Sequence, residues 1–398
     1  MKRLLSLLCA IGLMVLLVAG CQTAAPTPTT QVPTTAPAPT EPEPPAPLEP
    51  KLGTTLSVYP LYSNLTEEEI LLWDTICDAV ENHSTERIPI GTYSGVSAYG
   101  NAEKRFEWFY REFAFSNPDY FWLNLYEYDL HTVETDDGKR LELELHYLMD
   151  QETAQAYKEA YDAKVDAIVS GARAQEDLFH QVLYVYDAII ETAEYDHSLI
   201  DGNNLAEVNL SAYGCLVAGK TVCSGYAMAF LTIMEKLGVE CGLEFSSYQY
   251  LSTLEGHVWN YCKLEDEYYY FDLTWDDDGY GDTPTFHLFF GLNEEDMVLA
   301  SRYANDNPLI PQCNGTKFNY YRYMGLNFAS YDYDTVKDVL YEHRYDEAIV
   351  LRFDTSEEAD LAYQDLCEGR RLFDILPNIQ NYGYMIPETD LHLMMILF

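Results

Sequence analysis

The chain has 398 residues, 48% of them hydrophobic, which is enough apolar material for more than one packed core. Its formal net charge is −42, from 65 acidic against 23 basic residues. So acidic a surface repels nucleic acid and does not adsorb directly to an anionic membrane, so neither is expected as a partner through charge.

Met1 to Gly20 reads as a targeting segment: Lys2 and Arg3 form a positive start, and Leu4 to Val18 an apolar run short for a membrane span. Val18-Ala19-Gly20-Cys21 has the form of a bacterial lipobox, so cleavage before Cys21 and lipidation of that cysteine are expected. Loss of the leader removes Lys2 and Arg3 and takes the charge to −44. Gln22 to Pro50 holds ten of the 18 prolines and cannot build a core. Its composition predicts an extended tether, on the order of 80 Å at full stretch, lifting the rest of the chain off the membrane.

Leu65-Thr66-Glu67-Glu68-Glu69-Ile70 is a helix start of capping-box form, with Thr66 as cap and Glu69 three residues on. Ile70, Trp73, Ile76, Cys77 and Val80 then share one face, which places Cys77 in a core. A glycine-rich break from Gly91 to Gly100 precedes a second helix, Asn101 to Phe115. After Asn117-Pro118-Asp119 comes an aromatic strand, Tyr120 to Tyr128. A polar turn at Asp136 to Lys139 leads to a half-buried strand, Arg140 to Tyr147, in which Leu141, Leu143 and Leu145 alternate with polar residues. Two helices follow, Glu152 to Ser170 and Gln175 to Glu194; the second carries Phe179, Val182, Leu183, Val185, Tyr186, Ile189 and Ile190 on one face. Asn203 to Leu216 reads as a loop.

The chemistry-bearing stretch runs from Gly214 to Asp276. After Cys223, apolar residues at Tyr226, Phe230, Ile233 and Leu237 predict a buried helix ending at Gly238, with Thr221 as N-cap. Cys223 then sits in the first turn, where free N–H groups and the helix dipole favour thiolate over thiol. Gly225 and Ala227 leave room for close approach of backbone or substrate. His257 to Leu264 and Glu267 to Trp275 predict a hairpin around Glu265-Asp266. With that two-residue loop Asp272 falls opposite Trp259, so His257 and Asp272 share a face as diagonal neighbours. A carboxylate there orients the imidazole, whose other nitrogen can take the thiol proton.

Cys223 at a helix start, His257 in His-x-Trp-Asn and Asp272 after the next strand resemble the transglutaminase-like superfamily, which is related in its core to papain-type cysteine proteases. The stretch Tyr213 to Asp277, ending Asp-Leu-Thr-Trp-Asp-Asp, is similar to the variety common in bacterial surface lipoproteins. One departure is the turn, often Asp-Gly in the family and Glu265-Asp266 here. The resemblance implies an α+β fold with a papain/transglutaminase-like core, its Cys helix packed on an antiparallel sheet bearing His and Asp. It also implies a Cys223–His257–Asp272 triad that forms a thioester from a carboxamide or peptide carbonyl. The backbone N–H of Cys223 is the first candidate oxyanion donor, and no residue of the pattern marks a second.

Asp276-Asp277-Asp278-Gly279-Tyr280-Gly281-Asp282 invites a calcium reading, but with Thr274 in the first position the EF-hand spacing fails, and an acidic, solvated loop is expected. Asn319 to Phe398 predicts a smaller α/β region with strands at Ala348 to Phe353 and Met394 to Leu397, and helices at Tyr333 to Glu342 and Glu357 to Cys367. The expected division is 1–20 signal peptide, 21–50 tether, 51–150 N-terminal α+β region, 151–318 catalytic domain and 319–398 C-terminal α/β region. Of nine cysteines, Cys9 goes with the leader and Cys21 with the lipid; setting Cys223 aside leaves six, which allow 15 pairings. None has zinc-type spacing, and few or no disulfides, no metal and no cofactor are expected. The chain reads as a lipid-anchored cysteine peptidase or amidase on the outer face of the cell membrane, acting on a peptide, protein or cell-wall substrate. Transamidation, a non-catalytic peptide or cell-wall binding module and an adhesin scaffold are the rivals.

Overall fold

The computed structural model describes residues 65–92, 102–136, 138–199, 207–250, 253–277, 285–303, 310–346, 348–376, 384–385 and 391–397. The leader, Cys21, the tether and Asp278 to Asp282 lie outside the described residues. The molecule is a mixed α+β structure whose central sheet has a core on each face.

The N-terminal elements are α1 (Glu67–Glu81), β1 (Ile88–Thr92), α2 (Ala102–Ser116), β2 (Leu123–Thr135) and β3 (Gly138–Tyr147). The capping box forms as read: Glu69 N–H donates to Thr66 Oγ1 at 3.2 Å, and Thr66 N–H donates to Glu69 Oε2 at 2.9 Å. Glu69 also accepts from Arg105 Nε at 2.6 Å, which ties α2 to α1. Ile88–Thr92 forms a strand that the sequence reading does not assign, and it runs into the start of the break expected from Gly91. Because β1 is an edge strand in the order β1-β3-β2, Pro89 is tolerated there, and the register shifts between Pro89 and Thr92. Cys77 is only partly buried at the margin of the core.

Two helices follow: α3 (Gln151–Arg173), capped by Asp150, and α4 (Leu178–Ile190), capped by Asp177. The segment read as a loop before Cys223 contains helical turns at Glu207–Leu210 and Gly214–Ala218. Strand β4 (Glu194–Tyr195) pairs in parallel with β5 (Lys220–Thr221) and closes this segment onto the end of α4. Then come α5 (Cys223–Leu237), β6 (Cys241–Tyr250), β7 (Thr253–Leu264), β8 (Glu267–Phe271), α6 (Leu273–Asp276), β9 (Phe290–Leu292), α7 (Glu294–Leu299) and β10 (Arg302–Tyr303). The five-stranded sheet has the order β10-β6-β7-β8-β9 and is antiparallel throughout.

Period-two alternation divides this sheet between its two cores. Val258, Cys262 and Leu264 of β7 pack with α4, α5 and the N-terminal aromatics Phe109, Phe113 and Phe121. Trp259 and Tyr261 of the same strand point into the second core, formed with the C-terminal region. That region comprises α8 (Tyr320–Tyr323), β11 (Asn327–Phe328), α9 (Tyr333–Glu342), β12 (Ala348–Phe353), α10 (Ser356–Tyr363), α11 (Leu372–Ile375), β13 (Tyr384–Met385) and β14 (Leu393–Leu397). Its sheet runs β11-β12-β14-β13. The helix expected to reach Cys367 ends at Tyr363 and widens into a five-residue turn, Gln364–Glu368. A buried ion pair between Arg352 and Asp296 joins this sheet to α7.

Candidate active site

The thiol is set by the start of α5. Cys223 is the first helical residue, and the cap is Val222 rather than Thr221, with no side chain accepting from the first turn. Thr221 is instead buried, and its Oγ1 donates to the Asn209 carbonyl at 2.7 Å. Gly225 is required by this approach of chain to helix: a Cβ there would stand 1.7 Å from Thr221 Oγ1 and 2.7 Å from the Ser211 carbonyl oxygen. At the other end Gly238 takes a left-handed φ of 79° and closes the helix, as its position in the sequence predicts.

The hairpin has the predicted register, with Leu264 opposite Glu267 and Asn260 opposite Phe271. Within the turn Glu265 carries the positive φ, 55°. Two boundaries differ from expectation. Strand β7 begins at Thr253, so His257 lies inside it rather than opening it, and β8 ends at Phe271, so Asp272 caps the short α6. Asp272 still faces the imidazole. Both its carboxylate oxygens lie on His257 Nε2, at 3.1 and 3.0 Å, with the two side chains almost wholly buried. Nε2 is thus engaged by Asp272, and Cys223 lines the same cleft as the ring, near enough to act on its charge.

Asp272 is clamped by its backbone. Its N–H donates to the Phe289 carbonyl at 3.2 Å, and its carbonyl accepts from the Tyr186 hydroxyl at 3.3 Å. Asp276 and Asp277 are structural rather than solvated, which corrects the sequence reading at these two positions. Asp276 is buried and accepts from the Tyr186 hydroxyl at 2.6 Å and from the N–H groups of Leu288 and Phe289 at 2.8 and 3.0 Å. Burial pushes its carboxyl up to about 6. Asp277 accepts from the Tyr226 hydroxyl of α5. The acidic run thus begins by stapling α6 to α4, α5 and the approach to β9, because buried carboxylates with three donors serve structure.

Burial opposes a charged imidazole, but the Asp272 charge and hydrogen bonds, with a further contribution from Cys223, outweigh it and raise His257 to about 9. The imidazolium therefore persists well above the range of a free histidine. The alkaline limb of any acyl transfer at Cys223 is expected near pH 9, and kcat/KM measured from pH 6 to 10 checks it. A fall centred near the ordinary histidine value would mean that Asp272 does not control the ring.

With the fold and these distances established, the chain can be compared with known proteins. Residues 162–273 match the sequence model of the Transglutaminase-like superfamily. The chain has a transglutaminase-like core. No curated protein sequence matches it. Among solved structures, one described as a TGase is 11% identical, covers 37% of this chain and 44% of its own, with a TM-score of 0.26. A proposed cysteine protease from Cytophaga hutchinsonii is 14% identical, with coverages of 37% and 62% and a TM-score of 0.23. A proposed protease from Parabacteroides distasonis is 8% identical, with coverages of 37% and 36% and a TM-score of 0.20. The chain spans less than two thirds of each of these relatives.

Residues before the matched segment complete the cleft of the transglutaminase-like core. A space of about 300 Å³ opens on Cys223 and His257, walled by Phe115, Leu125, Tyr126 and Tyr128 from α2 and β2 and by Phe245 and Val258. Glu107 and Arg111 also line it, with the Arg111 guanidinium 4.7 Å from the Phe245 ring centre. The sequence pattern gives no sign of these residues as part of the site, because they join Cys223 only through packing. A larger cavity, about 560 Å³, lies toward the far end of α5 around Glu235 and Lys236 and does not touch the thiol.

All seven described cysteines are free thiols. Cys223 is the one that lines the cleft, whereas burial pushes Cys77 up to about 12 and Cys215, Cys262 and Cys313 higher still. Glu176, Asp177 and His180 lie close enough to hold a metal ion, but Asp177 already caps α4 by accepting the His180 N–H at 2.9 Å. Among the described residues no helix is long and apolar enough to cross a membrane.

Proposed function

We propose that this protein is a cysteine hydrolase that cleaves peptide or carboxamide bonds, held by a lipid on Cys21 outside the cell. The observation that carries the reading is the His257 ring, gripped through Nε2 by Asp272 and sharing one cleft with a thiol at a helix start. Cys223 Sγ, its proton passed to His257, adds to the carbonyl carbon. The C–N bond breaks as the imidazolium returns that proton to the leaving amine, and a thioester remains. Water then attacks, giving one proton to His257, and the acid departs as the proton returns to sulfur. No metal or cofactor enters these steps.

The cleft supports an acyl donor with an aromatic or aliphatic side chain, since its walls are largely rings and branched chains. Acetyl-Phe p-nitroanilide is expected to be cleaved about 10- to 30-fold faster in kcat/KM than the Gly analogue, the equivalent of burying one ring. Intact mass should show the acyl adduct on Cys223 in the wild type and none in Cys223→Ala. Equal rates for the two anilides would refute the pocket assignment. If added primary amine captures the acyl group in preference to water, the reaction is transamidation. Absence of any adduct leaves a binding module.

A further inference from the structure

Asp272 stands one residue past the end of β8, where the register of β8 with β9 has already shifted, so no regular ladder holds its backbone. A carboxylate that must stay on a ring needs some other anchor. The Asp272 peptide has two holders from outside α6. Its N–H donates to the Phe289 carbonyl at 3.2 Å, and the Tyr186 hydroxyl lies 3.3 Å from its carbonyl oxygen. Both holders end on one atom, Asp276 Oδ2. Phe289 N–H donates to it at 3.0 Å and the Tyr186 hydroxyl at 2.6 Å, while Leu288 N–H donates to Oδ1 at 2.8 Å. The single phenolic proton is shared, with the nearer carboxylate as its main acceptor. Bonds of this kind to an ionised acceptor are about twice as strong as those to a neutral one. Tyr186 and Asp276 are both buried, so water does not replace either bond. The charged groups that share this site are Asp272 and Asp277 at the two ends of α6, and His287, whose Nε2 meets Asp187 Oδ1 of α4 at 2.7 Å. Tyr320 of α8 stacks on His287 at 4.2 Å.

We propose that Asp276 positions the triad: through Phe289 and the Tyr186 hydroxyl it fixes the Asp272 peptide, and with it the carboxylate that grips His257. Asp272 caps α6 and Asp276 is its last residue, so the hold on one end of this turn sets the other. Asp276 is a positioning residue and acts on the reaction only through Asp272. Its effect on rate rests on the acyl-transfer reading above, whereas its hold on Asp272 does not. When the hold is loosened, Asp272 drifts from Nε2. The attraction that keeps the imidazolium falls with distance, and His257 gives up its proton at lower pH.

Tyr186→Phe tests this because it removes one of the two holders, keeps the buried ring and leaves every charge in place. The titration of His257 is followed by NMR of the imidazole Cε1–H, its signal identified by loss in His257→Gln. The variant is expected to titrate at least about half a unit below wild type, and to be acylated by p-nitrophenyl acetate at least about 5-fold more slowly in single turnover. An unchanged titration overturns the proposal even if the variant is less stable, because a merely structural bond moves the melting temperature and not the ring. A lowered titration with unchanged acylation overturns it too. If Tyr186→Phe yields no folded protein, Asp276→Glu, which keeps the charge but lengthens the arm, is read against the same outcomes. Failure of the hydrolase reading looks different, since the titration would still shift while wild type cleaved no anilide.

Discussion

Asp272→Asn is expected to slow acylation of Cys223 by about 10²- to 10³-fold while the protein remains folded. Asparagine keeps the shape and an acceptor for His257 Nε2–H, so the ring stays in place. The negative charge is lost. That charge is what overcomes burial and carries His257 to about 9. The rise above an ordinary histidine favours the imidazolium, and without Asp272 burial would push the ring below its ordinary value. With less imidazolium beside the thiol, less positive charge supports its attack, and acylation falls. The stability change follows the same sign. A raised histidine contributes stability that is full below about pH 6.5 and fades as pH rises through about 9, so the variant should lose stability at pH 6 and little at pH 10. An acylation rate within threefold of wild type would show that the carboxylate is structural and that the thiol is activated by the helix alone.

Gly225→Ala is expected to destabilise the protein by about 2–4 kcal/mol, the range in which overpacking a closed site falls. The added carbon would meet Thr221 Oγ1 at 1.7 Å and the Ser211 carbonyl at 2.7 Å, and neither can yield cheaply. Thr221 is buried and bonded to Asn209, and the Ser211 atom is backbone. The loop or the first turn of α5 must move, and the thiol moves with it. Gly238→Ala is the control, since its φ of 79° is strained for alanine but nothing stands within 4 Å of a new Cβ. It should cost about 1–2 kcal/mol and leave acylation unchanged. Chemical denaturation of both variants decides the matter; equal losses would mean that the close approach at Gly225 is relieved without cost.

Much of the site was legible in the chain because its determinants are local. Apolar spacing after Cys223 marks the helix, Gly238 its end, and a two-residue turn makes the hairpin parity a matter of counting. The misreadings are local signals overridden by packing. Thr221 has the right side chain for a cap, yet Asn209 offers its hydroxyl a buried partner and Val222 takes the cap position. Asp276 and Asp277 look like a solvated acidic run, yet Tyr186, Tyr226 and two backbone N–H groups converge on them from other elements. Ile88–Thr92, with its proline and glycine, pairs only because β3 presents an edge.

The sequence by itself determined the helix that bears Cys223 and the hairpin register that brings Asp272 to His257, since periodicity and turn length act over a few residues. Only the tertiary structure decided what surrounds them. Tyr126 lies almost a hundred positions before the thiol in the chain, and no pattern links the two until α2 and β2 pack beside α5 and β7. Such contacts arise from the joint burial of apolar surface, which is non-directional along the chain and so leaves no spacing to read.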